Sequence, residues 1–197
     1  MMEFNVIITG IGGQGVLTLT NIITWSALKE GFDVKASELH GLAQRGGAIA
    51  CHVRFGDEIY SPLVLEGKAD LVFALEPLEA LRSCYFGSKN KTIFLVNTHR
   101  LIPLSIFINK EGYPSLSYIA DALKSFSNKV ILIDASEMAK KVTGDTIMAN
   151  IYMLGYACAK NLIPLKRESI LYGIEEAVSQ KYLGLNRKAF DLGFEAI

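Results

Sequence analysis

The sequence predicts an α/β fold: three layers, with a mixed sheet of parallel strands plus a hairpin, and a helical C-terminal part. Three observations carry this. Short apolar runs alternate with stretches of helical period along the chain up to Asp145. The first run, "FNVIIT", enters a glycine turn that opens a helix. From Asp145 onward the apolar positions recur only at helical spacing. The 197 residues suit one compact unit with its own core, so a single domain over residues 1–197 is expected.

The elements follow in order. After the first strand, Val16 to Glu30 reads as a helix, with Leu17, Ile22 and Leu28 among its apolar positions and Gly31 as its stop. "DVKASEL" is a second strand, and "HGLAQRGG" a polar, glycine-rich loop. Ile49, Cys51, Val53 and Phe55 then alternate with Ala50, His52 and Arg54, as in a strand with one buried face. Gly56-Asp57 reads as a turn into "EIYSP", which predicts a hairpin over 49–60 and therefore an antiparallel component in the sheet. "ADLVFALE", "KTIFLVN" and "NKVILIDA" are further strands, separated by helices from Pro77 to about Tyr85 and from Leu116 to Phe126. "TIMANIYMLGYACAKN", "RESILYGIEEAVSQK" and "NRKAFDLGFEAI" complete the helical part, and the Tyr and Met residues of the first of these are expected in a core or helix contact.

Composition narrows the function. Half the residues are hydrophobic, a fifth are charged, and Lys plus Arg equals Asp plus Glu, so the formal net charge is zero. No field over the whole chain would draw it to nucleic acid or to an anionic membrane, and no apolar run is long enough to span one. Cys51, Cys84 and Cys158 are scattered and odd in number, which argues against a disulfide framework, a zinc site or a cluster-binding motif. Three buried thiols in a reducing compartment are expected, and with no signal segment visible the assignment is cytoplasmic.

Gly10, Gly12 and Gly15 satisfy G-x-G-x-x-G between a strand and a helix, with Gly13 and Gln14 inside the turn. Glycines there admit positive φ and close approach of a ligand, and the free N–H groups of a helix start favour an anion. A phosphate-binding P-loop is excluded, because Val16-Leu17 stand where Lys and Ser or Thr are required. A dinucleotide site calls for a ribose-binding acid after the second strand, and Glu38 is the candidate. The second distinctive stretch holds His40, Gln44, Arg45, Gly46 and Gly47 after a strand, where an arginine fork and backbone donors can meet a carboxylate or phosphate. The alternative for both stretches is structural: glycines that pack a helix on the sheet, and a solvated loop. His52 and His99 are single and read as surface or capping residues. Glu76 and Glu79 fit an acidic helix start.

The combination of "GIGGQGVLTL" with "KASELHGLAQRGGAIACHVRFG" and "SPLVLEGKADLVFALEPLEALR" resembles the gamma-type domain of the 2-oxoacid:ferredoxin oxidoreductases. Within that family the H-G-x-A-Q segment resembles the small (beta) subunit of the indolepyruvate branch. The similarity is dense over residues 5–82 and looser beyond. It implies a sheet curled towards a barrel and an accessory subunit, inactive alone, of a complex that oxidatively decarboxylates a 2-oxoacid to an acyl-coenzyme A and reduces ferredoxin. Thiamine diphosphate, magnesium and iron–sulfur clusters are then expected in a larger partner subunit, since no G-D-G…N signature or cysteine cluster occurs here. Under this resemblance Gly10, Gly12, Gly13, Gln14 and Gly15, with His40, Gln44, Arg45, Gly46 and Gly47, face that partner's thiamine site or the entry of coenzyme A. The alternatives left open are a stand-alone NAD(P)- or flavin-binding oxidoreductase and a non-catalytic assembly or regulatory module. The identity of the 2-oxoacid and the stoichiometry are open.

Overall fold

The computed structural model describes residues 2–40, 46–101 and 112–196. Six strands form one sheet: β1 (Glu3–Ile11), β2 (Asp33–His40), β3 (Ala48–Gly56), β4 (Leu71–Ala74), β5 (Ile93–Asn97) and β6 (Lys129–Ile133). Their order is β2-β3-β1-β4-β5-β6. β1, β4, β5 and β6 run parallel, whereas β3 is antiparallel to both of its neighbours. Among the described residues β2 and β6 are the edges of this sheet. Among the described residues seven α-helices accompany it: α1 (Val16–Lys29), α2 (Pro77–Arg82), α3 (Leu116–Leu123), α4 (Ala135–Thr143), α5 (Ala149–Ala159), α6 (Arg167–Ala177) and α7 (Gln180–Glu195).

The central strands are apolar on both faces because both faces are covered. Val6 and Ile8 of β1 point into one core with Leu19, Ile22 and Ile23 of α1 and residues of α5, α6 and α7. Ile7 points into the other, with Val72 and Phe94 of the sheet and Ala80, Ile119 and Leu123 of α2 and α3. The result is three layers, as expected. α5 is buried on nearly every face, from Ala149 to Cys158 with Tyr156 as the exception, which places "ANIYMLGYACA" in the core.

α5 and α7 touch backbone to backbone. A Cβ on Gly155 would lie 2.0 Å from the Phe190 carbonyl oxygen, and one on Gly193 would lie 1.9 Å from that of Tyr152. These two glycines set the distance between the helices, as small residues do wherever helix axes come close.

The predicted hairpin over 49–60 is not there. β3 pairs instead with β2, from Asp33↔Gly56 to His40↔Ile49, and with β1. Residues 57–60 form no strand. Side chains, rather than a ladder, hold this segment. The Ile59 amide donates to Asp33 Oδ2 at 2.9 Å, and Arg54 donates to the Ser61 carbonyl at 2.8 Å. His52 Nδ1 accepts the Val64 amide at 3.0 Å. β3 already has a neighbour on each edge, so no position remains for a further strand.

His52 is accordingly a buried residue, not a surface or capping one. Its ring meets Phe86 edge-on at 5.0 Å, and Nε2 has no hydrogen-bond partner among the described residues. Of the thiols, Cys51 and Cys158 are buried, while Cys84 is half-buried against expectation. α4 is an element that the sequence reading passed over. Among the described residues no helix is long and apolar enough to cross a membrane.

Three outcomes are expected. Gly193→Ala forces α5 and α7 apart and lowers stability by about 1–3 kcal/mol, read as a drop of several degrees in melting temperature. Gly184→Ala, whose Cβ meets nothing within 4 Å, leaves it unchanged or raises it. For His52, burial lowers the pKa, so the neutral ring belongs to the fold and the unfolded chain takes up the proton first. Its contribution is complete above about pH 6.5 and is lost as pH falls below that value. The decline in stability between pH 7.5 and pH 5.5, measured by denaturant titration, is flatter in His52→Gln than in the parent protein.

Candidate functional site

The glycine turn lies at the carboxyl end of β1. From there the chain leaves through α1 towards β2, while the neighbouring β4 feeds α2 on the opposite face. This reversal of direction is where open α/β sheets form a crevice. Gln14 shapes the turn. Its Oε1 accepts the Ile11 amide at 2.7 Å, and its Nε2 donates to the Leu75 carbonyl at the end of β4 at 2.9 Å. Across the turn the Gly12 amide donates to the Gly47 carbonyl at 2.9 Å.

Gly15 caps α1 with φ 77°, a left-handed conformation suited to glycine. It has no side chain with which to cap the helix, and the first turn carries no acid. The first intrahelical bond runs from the Leu19 amide to the Gly15 carbonyl, so the amides of Val16, Leu17 and Thr18 precede any intrahelical acceptor. A Cβ on Gly15 would also lie 2.4 Å from Asn150 Nδ2. That nitrogen donates to the Gly15 carbonyl at 3.1 Å, and Asn150 Oδ1 accepts the Ile151 amide at 2.8 Å.

Two adjoining cavities open on this turn. The first, about 350 Å³, has a polar floor made by Gln14, Asn97 and Ser136, with His99 and Asp145 in its walls. The second, about 590 Å³, lies against the first turn of α1 and is bordered by apolar side chains, including Leu17, Ile49, Met148 and Tyr182. Gly12, Gly13, Asp145, Ile147 and Asn150 belong to both. Asn97 fixes the floor: its Nδ2 donates to Ser136 Oγ at 2.9 Å and its Oδ1 accepts the Ala135 amide at 3.2 Å.

The structure brings Gly12, Gly13, Gln14 and Gly15 to the cavities. Gly10 stands behind them in β1, where a Cβ would meet Gln14 Oε1 at 2.9 Å. Gly47 supports the turn through its carbonyl, and neither it nor Gly46 lines a cavity. Gln44, Arg45 and the side chain of His40 lie outside the described residues. Sequence reasoning missed Asn97, Ser136, Asp145 and Asn150, and it read His99 as a surface or capping residue; His99 is half-buried and lines the first cavity. A polar residue inside the otherwise apolar "TIMANIYML" was the available signal for Asn150.

Glu38 does not fit a ribose-binding role beside the turn. It is exposed on β2, which β3 separates from β1, whereas a dinucleotide fold sets that strand next to the first. Glu76 acts as a helix cap, as expected: its Oε2 accepts the amides of Leu78 at 2.7 Å and Glu79 at 3.0 Å. Its other oxygen accepts the Tyr113 hydroxyl in a short hydrogen bond. Burial pushes the Glu76 carboxyl up, and burial together with the Glu76 bond pushes the Tyr113 hydroxyl up. Burial also raises Glu79, which pairs with Arg82 at 2.6 Å. Among the described residues no group of three or more His, Cys, Asp or Glu side chains stands together as a metal site.

Strand order, glycine turn and crevice define an α/β domain whose first helix starts, without a capping side chain, beside the crevice. The chain belongs to the pyruvate ferredoxin/flavodoxin oxidoreductase family, which it matches over residues 5–196. It is 38% identical over 197 residues to indolepyruvate oxidoreductase subunit IorB of Pyrococcus horikoshii, covering 100% of this chain and 96% of that one. It is 39% identical over 193 residues to the subunit of the same name from Archaeoglobus fulgidus, covering 98% and 94%. Its fold is similar to part of the 2-oxoglutarate:ferredoxin oxidoreductase of Magnetococcus marinus, solved with 2-oxoglutarate, coenzyme A and succinyl-CoA bound. There the TM-score is 0.74 at 15% identity, covering 98% of this chain and 31% of that one. The chain is thus a small subunit of a 2-oxoacid:ferredoxin oxidoreductase.

Gln14→Glu tests the architecture of the turn. The carboxylate keeps the bond from the Ile11 amide and faces the Leu75 carbonyl without a proton to donate. Stability is expected to fall by about 1–3 kcal/mol in denaturant titration.

Proposed function

We propose that this chain is the small subunit of an indolepyruvate or related aryl-pyruvate oxidoreductase, and that its glycine turn receives the phosphates of coenzyme A. The observation that carries this reading is the start of α1: three amides ahead of any intrahelical acceptor, no capping side chain and no first-turn acid, all opening on two joined cavities. A diphosphate suits those amides and the positive end of the helix dipole. The apolar second cavity suits a planar base, and the polar first cavity suits an amide-containing arm. The name shared by two relatives of 38% and 39% identity supports the substrate class, and the coenzyme A bound in the Magnetococcus protein supports the ligand.

In this reading the chain binds and orients; it does not catalyse alone. Decarboxylation and electron transfer to ferredoxin belong to thiamine diphosphate, magnesium and iron–sulfur clusters in the larger partner subunit. The Gly12–Gly15 turn, braced by Gln14 and Asn150, holds the coenzyme's charged portion at a fixed distance from that partner, so that the thiol end meets the acyl group there. The same proposal assigns His40, Gln44, Arg45, Gly46 and Gly47 to contact with the coenzyme or the partner. The single unit over residues 1–197 and a cytoplasmic location belong to the same proposal. A second reading, in which the turn takes a carboxylate of the partner and serves assembly, rests on the same amides. The NAD(P) or flavin reading is weakened by the position of Glu38 two strands from the turn.

The deciding variant is Thr18→Asp, tested in the complex purified anaerobically with its partner. An acid in the first turn favours the helix itself but repels an anion. The KM for coenzyme A is expected to rise about tenfold or more, with the 2-oxoacid KM and the melting temperature held. Unchanged coenzyme A kinetics with a weakened complex would select the assembly reading. A purified complex without a thiamine- and cluster-bearing chain would overturn the partner assignment.

A further inference from the structure

We propose that Asn186 reads an adenine base in the second cavity, its side-chain amide accepting from the exocyclic amine and donating to the neighbouring ring nitrogen. The proposal rests on the reading of the glycine turn as a phosphate site, since Gly15, Val16, Leu17 and Thr18 border the same cavity. It adds the part of the ligand that this cavity selects.

Asn186 stands where packing alone calls for an apolar residue. The buried residues of α7 are Asn186, Ala189, Phe190 and Gly193, spaced as one helical stripe. Asn186 is the polar side chain of that stripe, and it is 4% exposed. An amide taken out of water is costly unless its polar atoms are paired. Its Nδ2 donates to the Tyr182 carbonyl, one turn earlier, at 2.8 Å. That bond assigns the two ends of the amide, because only the nitrogen can donate to a carbonyl. Among the described residues Oδ1 has no hydrogen-bond partner, and one Nδ2–H is left over as well. Both belong to a side chain that lines the cavity. Asn150 lines it too, but both ends of its amide are engaged, with the Gly15 carbonyl and the Ile151 amide.

The free edge of Asn186 offers an acceptor beside a donor. Adenine offers the complement, an amine beside a ring acceptor, and this is how an asparagine distinguishes it from other bases. Leu17, Ile49, Met148, Val178 and Tyr182 bring apolar surface for the faces of the ring. Turning the amide over to suit a base with a carbonyl would set Oδ1 against the Tyr182 carbonyl, acceptor against acceptor. The bond within α7 therefore fixes which base is preferred.

The test compares ADP with IDP, in which a carbonyl replaces the amine and the adjacent ring nitrogen carries a proton. Sugar and diphosphate are the same in both. The full chain is titrated calorimetrically with each nucleotide at one pH, as the parent protein and as Asn186→Leu. The parent is expected to bind ADP about tenfold more tightly than IDP. Asn186→Leu is expected to bind both alike, at the weaker affinity. The comparison in the parent decides the matter even where the variant fails to fold. Equal affinities in the parent, or a preference for ADP that survives in Asn186→Leu, overturn this inference and leave the phosphate site standing. Absence of binding by both nucleotides overturns both readings.

Discussion

A hydrogen bond ties the C-terminal helices to the glycine turn: the Asn150 side-chain amide donates to the Gly15 carbonyl, across 135 residues. The turn at Gly12–Gly15 has its own bracing in Gln14, but the wall opposite it comes from the C-terminal helices. Asn150 holds its place because α5 is buried on nearly every face and because Gly155 and Gly193 allow α5 to lie directly on α7. Tight packing of the C-terminal part is therefore a condition for the geometry of an N-terminal loop. This explains why a subunit whose glycine turn occupies four residues needs four helices after the last strand.

Much of the fold could be read in advance, and the misses have physical causes. β1, β4 and β5 are apolar runs buried on both faces, and the glycine turn between β1 and α1 is local in sequence, so composition and spacing reveal both. The antiparallel component inferred from the predicted hairpin is present, but it lies between β3 and its neighbours β1 and β2. The false hairpin arose because Gly56-Asp57 has turn chemistry without a free strand edge to turn towards; Asp33, Arg54 and His52 hold the following segment instead. α4 was legible through Asp134 and Glu137, the acid pair of a helix start, followed by Gly144 as its stop. Its shortness and poor apolar content masked it.

The site was legible only in its backbone. Glycines announce a turn, whereas Asn97, Ser136, Asp145 and Asn150 come from four separate elements that meet only through the order of the sheet. His99 looked ordinary because a lone histidine carries no spacing signal, yet it lines the first cavity. His52 shows the opposite case. Alternation along β3 placed it on the face opposite Cys51 and Val53, but the segment at 59–64 that covers that face could not be foreseen from the strand alone.

The outer edge of β2 carries a consequence for how the subunit is made. Eight residues of extended backbone end the sheet there without a further strand among the described residues, and Leu39 on that strand is exposed. Such an edge is a template for another chain's backbone. With no net charge to keep copies apart, a freshly synthesised pool of this subunit in excess of its partner is the form most exposed to self-association. Balanced synthesis with the partner then becomes a matter of solubility as well as of stoichiometry.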